Sequence, residues 1–229
     1  MSVANLRAGY PGRLVLKDVQ LCLPARQVSV ILGPGGSGKT TLLRAIEGEE
    51  EKGFWWQGQI DFWAESKITT QWQEKDLSKA TMAGWILPNQ ARPRLQQART
   101  RVQKIWSSVP AAAACLLAAL DKGESKIEPW HLALARFTGT LATPEELVLL
   151  DEPGFGLPSM ALSWLATLVR ETARAATVIL VTHNLALARR VGDFMVLMVD
   201  GEAIETGAAE AFLNRPQRQR TRHFVQLGC

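Results

Sequence analysis

The sequence predicts an α/β fold: a mostly parallel sheet built around a phosphate-binding loop. Gly33-Pro34-Gly35-Gly36-Ser37-Gly38-Lys39-Thr40 follows an apolar, β-branched run, Val28 to Leu32, and opens a helix over Thr41 to Ile46. Two further apolar runs, Leu147 to Leu150 and Val178 to Val181, read as buried strands, separated by an amphipathic helix over Ser159 to Ala176. Strands alternating with helices around such a loop imply parallel pairing.

The remaining elements follow in chain order. Ser2 to Leu6 and Leu14 to Leu23 are β-rich, and with Val28 to Leu32 they make a strand-dominated beginning. After the loop and its helix, an acidic, glycine-containing stretch (Glu47 to Gly53) leads into Trp55 to Trp63, which reads as a strand pair. From about Gln90 to Arg136 the pattern is mostly helical, and Pro88 and Pro93 mark its start. This is the expected inserted lobe. Val109 to Leu120 is the longest apolar stretch, but a bilayer span needs about 20 apolar residues, so a packed helix is expected. There is no internal repeat and no low-complexity segment.

With 229 residues, 47% hydrophobic and 21% charged, the chain suits one compact domain over residues 1–229 that carries the lobe as an insertion. Met1 is not followed by a charged start, an apolar core and a small-residue cleavage site, so no export signal is expected. Cys22, Cys115 and Cys229 lack metal-type spacing and cannot all pair within the chain, which suits the reducing cytoplasm. The formal charge of +4 is mild. Two basic clusters stand out: Arg92, Arg94, Arg99, Arg101 and Lys104, then Arg215, Arg218, Arg220 and Arg222. Such runs are usually solvated faces, with attraction to an anionic membrane leaflet as the functional alternative. No aromatic residues interleave with the arginines in a stacking pattern, which disfavours nucleic acid as a partner.

Three constellations carry chemistry. In the loop, Gly33, Pro34, Gly35, Gly36, Ser37, Gly38 and the start of the helix at Thr41 turn backbone N–H groups toward a phosphate. Lys39 is expected to reach the β- and γ-phosphates and Thr40 to ligate Mg²⁺. The second is Leu147 to Glu152, an apolar strand ending in two carboxylates. Buried strands carry their functional groups at the carboxyl end, so Asp151 is expected to hold the Mg²⁺ shell through water and Glu152 to deprotonate or orient the attacking water. The third is Val178 to His183, where another apolar strand delivers a histidine to the same edge. Alone, His183 would more often be structural; behind these two motifs, a contact with the γ-phosphate is the better reading.

Together these residues resemble the ATP-binding cassette (ABC) family of ATPases over nearly the whole chain. Gly33 to Thr41 is similar to its Walker A motif, Leu147 to Glu152 to Walker B with the catalytic glutamate, and His183 to its switch histidine. The resemblance implies a P-loop NTPase fold with a RecA-like, mostly parallel core, an N-terminal antiparallel β lobe and a short helical lobe. It implies ATP and Mg²⁺ as ligands, and adenine stacking by Tyr10, the only tyrosine, whose ring face suits a flat base. It also implies a glutamine at the lobe entry that touches Mg²⁺. Gln90 is assigned, about two positions later than the usual spacing, with Asn89 as competitor.

Departures from the family pattern concern the other half of a dimer. Counting back from Ala133-Leu134-Ala135-Arg136, the LSGGQ signature position reads Glu124-Ser125-Lys126-Ile127-Glu128, and only the serine matches. Ile127 restricts the backbone where glycine would allow close approach to a partner's phosphate. Gly156-Leu157-Pro158 stands where the family usually has Ala-Leu-Asp. The resemblance therefore implies a dimer with a second ABC ATPase subunit, a heterodimer being favoured and a homodimer with two weak sites the alternative. Thr182-His183-Asn184, Ala188 to Asp193, Asp200 to Gly207 and Phe212 to Pro216 followed by Arg220-Thr221 resemble ATPase subunits of importers, those for phosphate above all. Membrane permease subunits are the implied partners, and the implied location is peripheral on the cytoplasmic face of the membrane. A catalytically weak, regulatory ATP-binding protein is the competing function.

Overall fold

The computed structural model describes residues 1–49, 53–63, 67–73, 80–88, 90, 94–122, 127–142 and 145–227. Along the chain run β1 (Ser2–Tyr10), β2 (Arg13–Cys22), β3 (Val28–Leu32), α1 (Lys39–Glu47), β4 (Trp55–Asp61), β5 (Ile68–Gln71), α2 (Met82–Ile86), α3 (Leu95–Ile105) and α4 (Pro110–Leu120). They are followed by α5 (Pro129–Thr140), β6 (Leu147–Asp151), α6 (Ser159–Thr172), β7 (Thr177–Thr182), α7 (Leu185–Val191), β8 (Phe194–Val199), β9 (Glu202–Ala208), α8 (Ala209–Asn214) and α9 (Gln219–Leu227).

The main sheet has the order β5-β6-β7-β3-β8-β9 and is parallel except for the terminal β8-β9 hairpin. Successive side chains of a strand face opposite sides, so each strand feeds two cores. Val30, Leu32, Val148, Leu150, Val178 and Leu180 pack on one side with Leu165 and Val169 of α6 and Leu187 and Val191 of α7. On the other side Ile31, Leu149, Ile179 and Val181 meet Leu42, Leu43 and Ile46 of α1. Burial on both faces is why these strands are unbroken apolar runs.

The second sheet, β2-β1-β4, is antiparallel and closes over α1 through Val3, Leu6, Ala8, Leu16, Val19 and Leu21. Here the structure corrects the expected strand pair at Trp55 to Trp63: the segment forms the single strand β4, paired with β1. The next strand, β5, belongs to the main sheet beside β6.

The helical lobe extends beyond its expected bounds, since α2 already packs on α5. A Cβ on Gly139 of α5 would lie 2.1 Å from Trp85 O, so the two helices touch backbone to backbone. Ala112, Leu116 and Ala119 form the buried stripe of α4, as expected of a packed helix. Trp106 is fully buried, and its Nε1–H donates to Thr138 Oγ1 at 2.8 Å; the hydroxyl in turn donates to Leu134 O. Among the described residues, no helix is long and apolar enough to cross a membrane.

Candidate nucleotide site

Strand register assembles the site. β3, β7 and β6 lie side by side, with Ile31 opposite Val181 and Val181 opposite Asp151, while Leu32 is level with Thr182. The three carboxyl ends therefore stop at one edge. They deliver the phosphate loop from β3, Asp151 and Glu152 from β6, and His183 from β7.

Gly33 turns the chain out of β3 at φ 154°, where a Cβ would stand 2.1 Å from Met198 O. No other residue fits this approach. Gly38 sits at φ 97° as the N-cap of α1. Lys39 folds back across the loop, and Nζ donates to Gly33 O and Pro34 O at 2.9 Å each. Burial lowers its pKa, and the carboxylates of Glu152 and Asp151 oppose that shift. Gly35 and Gly36 are exposed, whereas Ser37 and Thr41 are buried, and Ser37 Oγ has no hydrogen-bond partner. The loop is braced from outside: Gly201 N–H donates to Ser37 O at 3.1 Å, and Gly201 O accepts from Lys17 N–H at 2.9 Å.

The Thr40 hydroxyl bonds the Asp151 carboxylate at 3.0 and 3.2 Å. Burial raises the Asp151 pKa; the Thr40 bond, Lys39 and the Gln73 backbone N–H pull it down, and Glu152 pushes it up. A hydroxyl in contact with one carboxylate suits Mg²⁺, which binds hard oxygens and keeps waters and phosphate oxygens in its remaining positions. Among the described residues no three His, Cys, Asp or Glu gather as a closed protein metal cage.

Glu152 adopts φ 46°, a left-handed backbone that non-glycine residues seldom take. Its Oε2 accepts from Thr182 Oγ1 at 3.0 Å, and its Oε1 accepts from His183 N–H at 3.0 Å and lies 2.8 Å from His183 Nδ1. A held carboxylate at the edge of a phosphate loop can take a proton from water, and the exposed ring beside it can turn toward a phosphate. Tyr10, at the end of β1, shares a cleft with Arg13, Val15 and the loop residues Gly36 to Thr41. Its ring meets Phe54 at 5.6 Å with a 47° tilt.

One expected residue is not brought to this edge. Gln90 lies past α2, its N–H bonded to Leu87 O, in a cleft lined by Gln96, Gln97, Thr100, Arg101 and Lys104 of the helical lobe. The glutamine beside Asp151 is Gln73, two residues beyond β5, which the polar strand Ile68-Thr69-Thr70-Gln71 conceals in the sequence. Asn89 lies outside the described residues.

Next to the carboxylates opens a cleft of about 400 Å³, walled by Trp72, Gln73, Trp130, Arg136, Pro153 and Phe155. The first three residues of the expected signature position, 124 to 126, lie outside the described residues. Ile127 packs partly buried on the core, and Glu128 is the N-cap of α5 with no side-chain bond. Trp130 stacks on His131 at 3.7 Å, Phe155 is 60% exposed, and Pro158 starts α6. Of the basic clusters, Arg99 pairs with Asp121 and Arg101 donates to Ile86 O, which fits ordinary fold-supporting roles. Arg92 lies outside the described residues.

A parallel sheet that ends in a lysine-bearing glycine loop, with a Thr–Asp pair and a Glu–His pair at the same edge, defines a phosphate-loop nucleoside triphosphatase. Residues 16–154 match the ABC transporter family. The chain belongs to that family and is one of its ATPases. It is 30% identical to the phosphate import ATP-binding protein PstB 2 of Mycobacterium tuberculosis over 98% of this chain and 87% of that protein. Identity to the phosphate import ATP-binding protein PstB of Thermotoga maritima is 26%, over 98% and 96% of the two chains. A probable amino-acid ABC transporter ATP-binding protein of Haemophilus influenzae is 29% identical over 98% and 94%.

Proposed function

We propose that this chain is the ATP-hydrolysing subunit of an importer, with membrane permease subunits and a second cassette as partners. One observation carries the reading: the shared strand register that puts Lys39, the Thr40–Asp151 pair and the Glu152–His183 pair around one loop. The amides of Gly33 to Thr41 and the Lys39 ammonium bind the phosphates, Lys39 exchanging its two loop carbonyls for phosphate oxygens. Tyr10 stacks on adenine. Thr40 and Asp151 would hold Mg²⁺, with Gln73 taking the part assigned to Gln90, and the bound ion would supply charge neutralisation at the phosphates. Glu152 takes a proton from the attacking water, and His183 leaves Glu152 to meet the γ-phosphate.

The cargo is phosphate or a related anion, in keeping with the names of the relatives. The second cassette is a different chain, because Ile127 and Pro158 make a poor cap for a partner's nucleotide while the groups of this chain's own site are all present. Glu152→Gln in the assembled complex should reduce hydrolysis by at least two orders of magnitude while ATP stays bound; unreduced turnover removes Glu152 from the mechanism.

The same two residues favour a second reading, a regulatory protein that binds ATP and turns it over slowly. Purification from membranes discriminates: permease subunits in the eluate support the importer, and a homodimer without them supports regulation.

A further inference from the structure

The two oxygens of the Glu152 carboxylate are held in different ways. At Oε1 the partners are the His183 backbone N–H and the His183 ring, whose side chain is 60% exposed and free to turn. At Oε2 the partner is the hydroxyl of Thr182, a residue with 0% exposure at the end of β7. That hydroxyl also accepts from the Asn184 N–H at 3.0 Å, and Asn184 is itself fixed as the N-cap of α7, its Oδ1 accepting from Leu187 N–H. A threonine hydroxyl has one proton. With the Asn184 N–H on its lone-pair side, that proton points to Glu152, so the bond runs in one direction only.

We infer that Thr182 is a positioning residue for ATP hydrolysis: its buried hydroxyl fixes the rotation of the Glu152 carboxylate and keeps it fixed when the His183 ring turns away. The inference rests on the reading of Glu152 as the group that receives the proton of the attacking water. Thr182 touches no substrate and moves no proton. The left-handed backbone of Glu152 sets where its side chain departs, but the carboxylate still rotates about its last bond. Once the ring leaves, the His183 N–H and the Thr182 hydroxyl hold that rotation, and among the described residues Thr182 is the sole holder of Oε2. A strand position enclosed on all sides would accept valine on packing grounds, since valine has the same branched shape. The hydroxyl is what the site uses.

The test measures steady-state ATPase activity of the assembled complex carrying Thr182→Val, Thr182→Ser or Thr182→Ala. Valine and alanine should lower kcat roughly tenfold, the size expected for a hydrogen bond to a charged group, with KM for ATP within about twofold of the parent. Serine should restore most of the rate. If valine disturbs folding, the alanine–serine contrast carries the same test. In a Glu152→Gln background, adding Thr182→Val should change the residual rate by less than about twofold, because the group being positioned is already disabled. Full kcat in the valine and alanine variants overturns the inference, and so does an equal loss in both backgrounds, which marks a merely structural hydroxyl. If Glu152→Gln alone leaves kcat unchanged, the assignment of Glu152 fails first and takes this inference with it.

Discussion

The nucleotide edge of the sheet and the face formed by α5 and the loop after β6 are built from opposite materials. At the edge, charged and hydroxyl groups are bonded to one another, with Lys39, Asp151 and Thr182 buried, Glu152 half-buried and Thr40 and His183 exposed: Lys39 to two carbonyls, Thr40 to Asp151, Glu152 to Thr182 and His183. On the neighbouring face, Trp72, Trp130, Pro153 and Phe155 surround the cleft with apolar groups, and Ile127 and Pro158 restrict the backbone. A polar cluster of the first kind persists only if nearly every member is satisfied, so its presence argues for a working site. The second kind makes few demands on register and can change without disturbing the first. On the function proposed above, the parts assigned to this chain's own nucleotide are separate from those assigned to a partner's.

The sharpest way to break this contrast is Lys39→Ala, which should abolish ATP binding, measured by calorimetry, and all hydrolysis. Retained affinity would mean the edge is not the site. Next in size, this chain purified alone should hydrolyse ATP at least tenfold more slowly than in its complex with a second cassette. Equal rates would show that the apolar face is no handicap.

A smaller effect separates two glutamines. Gln73→Ala should lower the rate of the complex several-fold, roughly 1 kcal/mol of transition-state stabilisation, whereas Gln90→Ala should leave it within about twofold. The reverse ranking would restore Gln90.

The smallest effect concerns the polar edge itself. The buried Asp151 carboxyl has a raised pKa, so the folded state binds its proton more tightly than the unfolded chain does. Stability contributed by that proton is present in acid and lost as pH rises from about 4 through the folded value. Asp151→Asn should accordingly raise the Tm of the nucleotide-free protein by a few degrees at neutral pH, with no difference in acid. It should also remove Mg²⁺-dependent turnover. An unchanged Tm at every pH would show that the carboxylate is better solvated than its burial implies.

The parts of the fold legible in the sequence are those with one unambiguous physical cause. β3, β6 and β7 lie under helices on both faces, so they must be continuous apolar runs, and their expected bounds differ from the observed ones by at most a residue at either end. The loop needs glycine at Gly33 for a close backbone approach, which left a motif in plain view. β4 is different: an edge strand with nearly every residue exposed, it has no alternation to fix its length. β5 is threonine-rich and four residues long, so no pattern in the sequence marks a strand there or draws attention to Gln73 behind it. Pro88 and Pro93 mark a lobe boundary in the sequence and so favour Gln90, whereas in the structure α2 has already begun the lobe. Thr182 is legible in the sequence as the neighbour of His183 in the Thr182-His183-Asn184 stretch, with no role of its own; its hydroxyl matters because of Glu152, 30 residues away in sequence.

The family match ends at residue 154, yet the turn at Asp200–Gly201 rivets the phosphate loop to the N-terminal lobe through Ser37 and Lys17. With Met198 O pressed against Gly33, the β8-β9 hairpin is the back plate of the cradle. A shortened chain that keeps every recognisable motif but stops before this hairpin would hold its lysine and lose the wall behind it.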